Sequence, residues 1–397
     1  MGPLEGIRVV ELGQLIAGPF CGQLLADFGA EVVKVEPPGV GDAMRQWGRP
    51  DREGRPVAFS VIARNKKSLT LDLRKPEGQE IVRKLAASAD VIVENFRPGT
   101  MERWGLGYEA LSAINPRLIL VRISGFGQTG PYSRRAGFAS VCEAMGGLRY
   151  ISGFPDRPPI RIGLSLGDTL AGVNGAMGAL LALQQRARSG KGQVVDSTIL
   201  ESILMVTESL ISDYDQGGHV RERHGSALPG IAPSNAYPTR DGQDMIVGAN
   251  QDSVFRRLCD VIGRPELADD PRFATHRARG ENAEALDAVI ADWTRRHDAD
   301  VMIDDLAAAG VPVGLAYRAP EMMDDPHFAA REAIVSVPDA RRGGEIAMQN
   351  VFPRLSDTPG GVRHAGPALG ADTRGVLRDW LGMTSDEIRA LVETGVV

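Results

Sequence analysis

The chain is poor in cysteine, histidine and aromatic side chains, and it has no surplus of positive charge. Its 397 residues include three cysteines, Cys21, Cys142 and Cys259, widely separated and odd in number. That usage excludes a disulfide framework and a cysteine-ligated zinc site, and it points to a reducing, cytoplasmic setting. The six histidines form no short ligand pair on one helix face, so no metal is expected; a tightly bound cofactor is not expected either. Net charge is -6, with both signs mixed along the chain, which argues against nucleic acid as a partner. The N-terminus, Met1-Gly-Pro-Leu-Glu-Gly-Ile, lacks the basic-then-apolar order of a secretory signal. The small-residue apolar run from Leu170 to Leu183 contains Asn174 and is too short to cross a bilayer. A buried helix is expected there, and no membrane partner.

What is present is a repeated strand-helix-strand pattern. Ile7–Leu12 reads as a strand, Pro19–Phe28 as a helix and Glu31–Glu36 as a second strand, stopped by Pro37-Pro38. Ser68–Leu73, Val91–Glu94 and Leu118–Ile123 follow as strands, with helices over Pro76–Ala87 and Tyr108–Ile114 between them. Such units favour an open parallel sheet of the Rossmann-like α/β class. Asp196–Ser212 reads as a long helix, and the polar Asp213–His224 as a linker. Strands around the turn Arg240-Asp-Gly242, then helices over Gln251–Gly263, Asn282–Arg296 and Asp298–Ala309, suggest a smaller α+β domain. The expected organisation is a large domain from 1–205 and 330–397, a linker over 206–234, a small domain over 235–320 and a return linker over 321–329. Thr384–Leu391 reads as a capped terminal helix.

The most informative residue is Asp168, in Gly163-Leu-Ser-Leu-Gly-Asp-Thr-Leu-Ala-Gly172. A carboxylate here begins a tightly packable helix, where amide groups favour an anion and glycine admits a close neighbour. An ordinary N-cap is the competing reading. The first turn, Gly13-Gln-Leu-Ile-Ala-Gly18, with Glu36 ending the second strand, could suggest nicotinamide binding. Leu15 and Ile16, however, stand where a pyrophosphate needs bare backbone. Ser165 matches a nucleophile elbow by letters, but Arg157-Pro-Pro precedes it in place of an apolar strand. Arg97, Arg103, Arg134 and Arg135 follow expected strands, where arginine can grip phosphate and stack on adenine. Phe96 and Trp104 could supply apolar walls.

Together with Asp27–Glu36, Asn65–Leu73, Asp90–Gly99, Gly125–Pro131 and Gly366–Gly370, these segments resemble the class III coenzyme A transferases along nearly the whole chain. The resemblance implies an interlocked homodimer, with CoA and acyl-CoA as substrates. It also implies that Asp168 is the nucleophile, carrying first an acyl group as a mixed anhydride and then CoA as a thioester. By the same resemblance, CoA contacts fall on Ile16, Leu71, Asn95, Phe96, Arg97, Arg103 and Arg135. A mobile loop falls on Gly225, Pro229 and Gly230. Ile16, Pro37 and Ala139 depart from the formyl-CoA transferase pattern, which puts formyl-CoA and oxalate in doubt as substrates. The related α-methylacyl-CoA racemases are an alternative. They carry a histidine where Phe138 stands, and phenylalanine cannot take a proton.

The stretches Ala136–Gly147 and Arg157–Asp168 look most like the succinyl-CoA-dependent branch, whose acceptors are dicarboxylates. A distal carboxylate needs a cation, and Arg45 and Arg161 are the candidates, each with a structural ion pair as the competing role. A CoA-binding scaffold without turnover and a nicotinamide-dependent oxidoreductase complete the alternatives.

Overall fold

The computed structural model describes residues 2–397. They divide into two compact units, one of residues 2–148, 161–211 and 329–397, the other of residues 149–160 and 212–328.

In the first unit six strands make one parallel sheet. They are β1 (Arg8–Glu11), β2 (Glu31–Glu36), β3 (Lys66–Thr70), β4 (Val91–Glu94), β5 (Ile119–Ser124) and β6 (Val194–Thr198), ordered β3-β2-β1-β4-β5-β6. Alternation along each strand feeds two cores. Val10, Val33, Val35, Ile92 and Leu120 face one, while Val9, Val32, Val91, Val93, Val121 and Ile123 face the other. Chain order reverses between β1 and β4, so a crevice opens beyond their C-terminal ends.

Helices α1 (Ala17–Asp27), α2 (Pro76–Ala86), α3 (Tyr108–Ile114), α4 (Ala139–Met145), α5 (Leu166–Ser189) and α6 (Ile199–Leu204) belong to this unit. Glycine lets α5 lie close to the sheet and to α1. A Cβ on Gly172 would stand 2.9 Å from the Ala17 carbonyl oxygen, and one on Gly175 would stand 3.0 Å from Ile123 Cδ1. At 24 residues α5 is longer than the apolar run anticipated, and by length and composition alone it could cross a membrane. Its glycine face is nonetheless packed on protein, and Val173, Met177, Leu180 and Leu181 remain exposed on it.

The C-terminal helices Thr373–Leu381 and Ser385–Glu393 add Val376, Leu377, Trp380 and Ile388 to the first core. The terminal helix carries the anticipated cap: Thr384 Oγ1 accepts from the Glu387 amide, and the Glu387 carboxylate accepts from the Thr384 amide. The hairpin β10 (Ile334–Asp339) and β11 (Gly344–Gln349) completes the unit.

The long helix expected over 196–212 is not there. Val194–Thr198 pairs with β5 as the sheet's edge strand, and the Asp196 carboxylate accepts from the Gln128 amide at 2.9 Å. The β-branched Val194, Val195 and Thr198 suit a pleated surface, and Thr198 Oγ1 then caps α6 by accepting from the Glu201 amide. Further on, Leu210–Gly217 is helical, inside the stretch expected as a linker.

The second unit is built on an antiparallel sheet of β7 (Ser234–Pro238), β8 (Asp244–Gly248) and β9 (Val313–Leu315). Its core takes Phe255, Leu258, Leu286, Ile290, Met302 and Leu306 from the helices Asp252–Val261, Ala283–Thr294 and Ala299–Ala308. Arg279 is wholly buried in it, bonded to the carbonyls of Ala232, Phe273 and Asn250 and to Asp252.

Candidate active site

The loops after β1 and β4 are tied together by one side chain. Asn95 accepts from the Gln14 amide and donates to the Gln14 carbonyl, both at 2.8 Å. Gly13 and Gly18 permit this closeness, since a Cβ on either would meet the Asn95 amide group at 3.1–3.3 Å. Beneath the first turn lies a buried charge cluster. Lys34 contacts Glu11 at 2.9 Å and Asp42 at 2.7 Å, Lys66 contacts Glu11 at 2.7 Å, and all four side chains are at most 1% exposed. The Lys34 ammonium also donates to the Gly13 carbonyl, and Asp42 accepts from the Leu15 amide. Leu15 has φ of 63°, a conformation costly to a branched side chain. The cluster therefore anchors the turn at Gly13 and at the Leu15 amide.

The second loop is fixed similarly. Glu94 accepts from the Phe96 amide at 2.7 Å and from Arg122 at 2.7 Å, and Arg122 also grips Glu102.

Beyond these loops lies a cavity of about 390 Å³. Ile16, Asn95, Arg97, Arg161, Ser165 and Asp168 line it, together with Trp47, Phe138 and Ser140. Asp168 stands in the first turn of α5 and is half-buried. Among the described residues no donor is bonded to its carboxylate. Burial, then the charge of Glu143, raises its pKa to about 6, and Arg161 opposes them only through space. It does not serve as the side-chain cap of α5; that position falls to Ser165, whose side chain makes no capping bond. Beside it, burial and the Asp168 and Glu143 carboxylates push the Cys142 thiol up to about 11, so Cys142 is a poor rival nucleophile at neutral pH.

Leu71 and Phe96 line a second cavity, of about 260 Å³, with Leu12, Val35, Pro37 and Trp104. Phe96 and Trp104 meet edge to face with ring centres 5.2 Å apart. The two cavities diverge at adjacent residues, Gln14 and Leu15 in one loop, Asn95 and Phe96 in the other. Arg103 and Arg135 line neither. Arg103 donates to Thr100, and Arg135 lies over the Tyr132 ring at 3.8 Å, both exposed.

Arg45 does not line the cavity that Asp168 faces. Its guanidinium holds both oxygens of Glu36 at 2.7 Å and lies 3.6 Å over the Phe59 ring, with 10% of the side chain exposed. Of the two roles open to it, the ion pair is the one realised. The same contact removes Glu36 from any ribose: it also accepts from Ser68 and from the Asp42 amide, and is wholly buried. Gly225, Pro229 and Gly230 belong to the second unit. Gly225 and Gly230 have φ of 65° and 72°, and Gly225 bridges to Gly153.

Sequence reasoning missed Trp47 and Glu143. Trp47 follows a short 3-10 turn capped by Asp42, a cap readable from the letters, but its direction is not. Glu143 is buried on α4 and accepts from the Gly167 amide at 3.2 Å.

Residues 4–373 match CoA-transferase family III. The chain is 58% identical over 398 residues to the succinyl-CoA–D-citramalate CoA-transferase of Chloroflexus aurantiacus, covering 100% of this chain and 98% of that protein. It is 40% identical over 397 residues to the succinyl-CoA–L-malate CoA-transferase beta subunit of the same organism, covering 100% and 98%. A CAIB/BAIF family protein from Brucella suis superposes with a TM-score of 0.85 at 37% identity, over 96% of this chain and 99% of that one. The sheet, the cavity at its switch point and these likenesses agree: the chain belongs to CoA-transferase family III and is a CoA-transferase.

Proposed function

We propose that this enzyme moves CoA from succinyl-CoA to a C4–C6 dicarboxylic acid, with Asp168 as the covalent carrier. The observation that carries the reading is an ionisable, unbonded carboxylate facing a cavity that also holds two arginines, Arg97 and Arg161, the second of which donates to Ser165 Oγ at 3.4 Å. The relatives named for succinyl-CoA with citramalate or malate support the substrate class.

An Asp168 oxygen attacks the thioester carbonyl of the donor, the C–S bond breaks and CoA leaves as thiolate. The thiolate then attacks the aspartyl carbonyl of the mixed anhydride and releases the donor acid as carboxylate. The acceptor carboxylate attacks the resulting aspartyl-CoA thioester, and the expelled thiolate takes the acceptor's acyl group from the new anhydride. Asp168 is restored and no net proton moves. Each bond exchange keeps an activated acyl group, so no energy is lost to hydrolysis while water is kept out. Arg161 provides the cation for the acceptor's distal carboxylate, and the cavity with Leu71, Phe96 and Trp104 provides apolar surface for CoA. Phe138 faces the reaction cavity and offers no acid or base, which disfavours α-proton exchange.

The free, buried cysteines agree with a cytoplasmic enzyme. The apolar face of α5, with Val173, Met177, Leu180 and Leu181, supports the homodimer; sedimentation at the mass of one chain would remove that part of the reading.

The test is incubation with succinyl-CoA and a panel of dicarboxylic acids, with CoA esters read by mass spectrometry. Transfer to citramalate or malate is expected. Absence of transfer to every C4–C6 dicarboxylate overturns the substrate assignment, and undiminished transfer by Asp168→Ala overturns the mechanism.

A further inference from the structure

Behind Asp168 stands a second carboxylate that the covalent chemistry does not use. Glu143, on α4, is 2% exposed, and its Oε1 accepts from the Gly167 amide at 3.2 Å. Gly167 immediately precedes Asp168. A Cβ there would stand 3.2 Å from Glu143 Cγ and 2.8 Å from Ile199 Cγ2, so the bare backbone is what lets α5 begin against α4. The amide that Glu143 holds is one of those at the start of α5 with no partner inside the helix.

We propose that Glu143 is the positioning residue for Asp168: it fixes the first turn of α5 through the Gly167 amide, and its buried charge drives charge off the neighbouring carboxylate when that carboxylate is acylated. The proposal rests on the reading of Asp168 as nucleophile.

The second half follows from charge accounting. In the free enzyme the buried Glu143 acts through space on the half-buried Asp168. When an Asp168 oxygen bonds to the acyl carbon and the C–S bond breaks, the negative charge passes to the departing CoA thiolate. Repulsion between the two acids is relieved in that step and restored when Asp168 is regenerated. A like charge thus raises the free carboxylate in energy without touching the acylated one. It also keeps the carboxylate basic, and a more basic oxygen is the stronger nucleophile while it remains ionised near neutral pH. Other charged or titratable groups around Asp168 are Cys142 on α4, Arg161 ahead of α5 and Arg97 across the cavity. Glu201 at the start of α6 is engaged with Thr198, and Asp196 on β6 with Gln128. Among the groups acting on Asp168, Glu143 is the anionic one.

Two substitutions separate the two roles. Glu143→Gln keeps an oxygen for the Gly167 amide and loses the charge. Its acid limb of kcat/KM against pH is expected to move down by about half a unit or more, with kcat within about threefold of the parent. Glu143→Asp keeps the charge and is too short to keep the bond. It should leave the acid limb in place and lower kcat by about tenfold or more, with a smaller change in KM. An acid limb unmoved in Glu143→Gln, or a kcat unmoved in Glu143→Asp, overturns the corresponding half. Each variant decides its half alone if circular dichroism shows it folded. A variant that does not fold is replaced by carbon-13 titration of the Asp168 carboxyl in the parent enzyme, where a single unperturbed step near the usual carboxylate range overturns the proposal. Asp168→Ala, run alongside, separates this failure from failure of the nucleophile itself: if that variant still transfers CoA, the underlying reading is what falls.

Discussion

Two groups of buried acids in the first unit are treated in opposite ways. At the ends of β1 and β2, Glu11, Glu36 and Asp42 are matched by Lys34, Lys66 and Arg45 at 2.7–2.9 Å. Burial works against the charge on Glu36 and Asp42, yet Arg45 and Lys34 hold both carboxyls below the ordinary carboxylate range. At the start of α5, Asp168 has no bonded cation; burial and a second acid raise it to about 6. Paired acids are held as carboxylates and cannot easily give electrons to a substrate. The unpaired one is costly to keep and available to react. In the proposed mechanism the first group makes the loop scaffold and the second is the reagent.

The sharpest break in that contrast is Asp168→Ala. It should lower CoA transfer by at least about a thousandfold, because removal of a nucleophile leaves only binding and polarisation. Stopped-flow transfer from succinyl-CoA measures this, and a loss under about tenfold would mean that Asp168 is another scaffold acid.

The next effect falls on the other side. Lys34→Met removes one cation and leaves Glu11 and Asp42 buried with half their compensation. Breaking a buried pair in this way costs about 3–5 kcal/mol, which urea unfolding at pH 7 would read directly. The Leu15 turn should loosen with it, so residual activity should show a raised KM for acyl-CoA. Were the variant as stable as the parent, the cluster would not be the scaffold described.

These assignments were unequally legible in the sequence. The parallel sheet could be read because its strands are buried on both faces and so appear as apolar runs between helical patterns. Asp168 stands out only through the family resemblance, because a carboxylate among glycines at a helix start reads by itself as an ordinary N-cap. Lys34 and Glu36 could not be separated from solvated strand charges, since their partners lie on other strands and loops, and pairing at that separation leaves no local mark. Arg45 suffered the same ambiguity and resolved toward Glu36. Asp196 was assigned to a helix because the apolar spacing after it is helical; the edge of the sheet claimed Val194–Thr198 instead. Glu143 lies in the segment Ala136–Gly147 that carries the family resemblance, but only the packing of α4 on α5 turns it toward Gly167.

Arg161 tests the contrast within the cavity. Arg161→Gln should raise KM for a dicarboxylate acceptor by about 10–100-fold, the value of one charge-assisted hydrogen bond, and leave a monocarboxylate acceptor nearly unaffected. Equal losses for both acceptors would assign Arg161 to Asp168 or to CoA.

The smallest effect concerns stability and has the opposite sign to most substitutions. An acid whose pKa rises from 3.8 to about 6 on folding binds its proton more tightly in the folded state. Between those values the folded chain is more protonated than the unfolded one, so its stability falls as pH rises. The penalty is absent below 3.8 and complete above about 6. Asp168→Asn carries no such charge, and its carboxamide fits the same space. At pH 7 the variant should therefore be more stable than the parent by ~1 kcal/mol, after allowance for the partial exposure of the group. The difference should vanish as pH is lowered through that window. Differential scanning at several pH values measures it. A gain that did not depend on pH would come from packing, and the distinction between the paired acids and the unpaired one would lose its thermodynamic half.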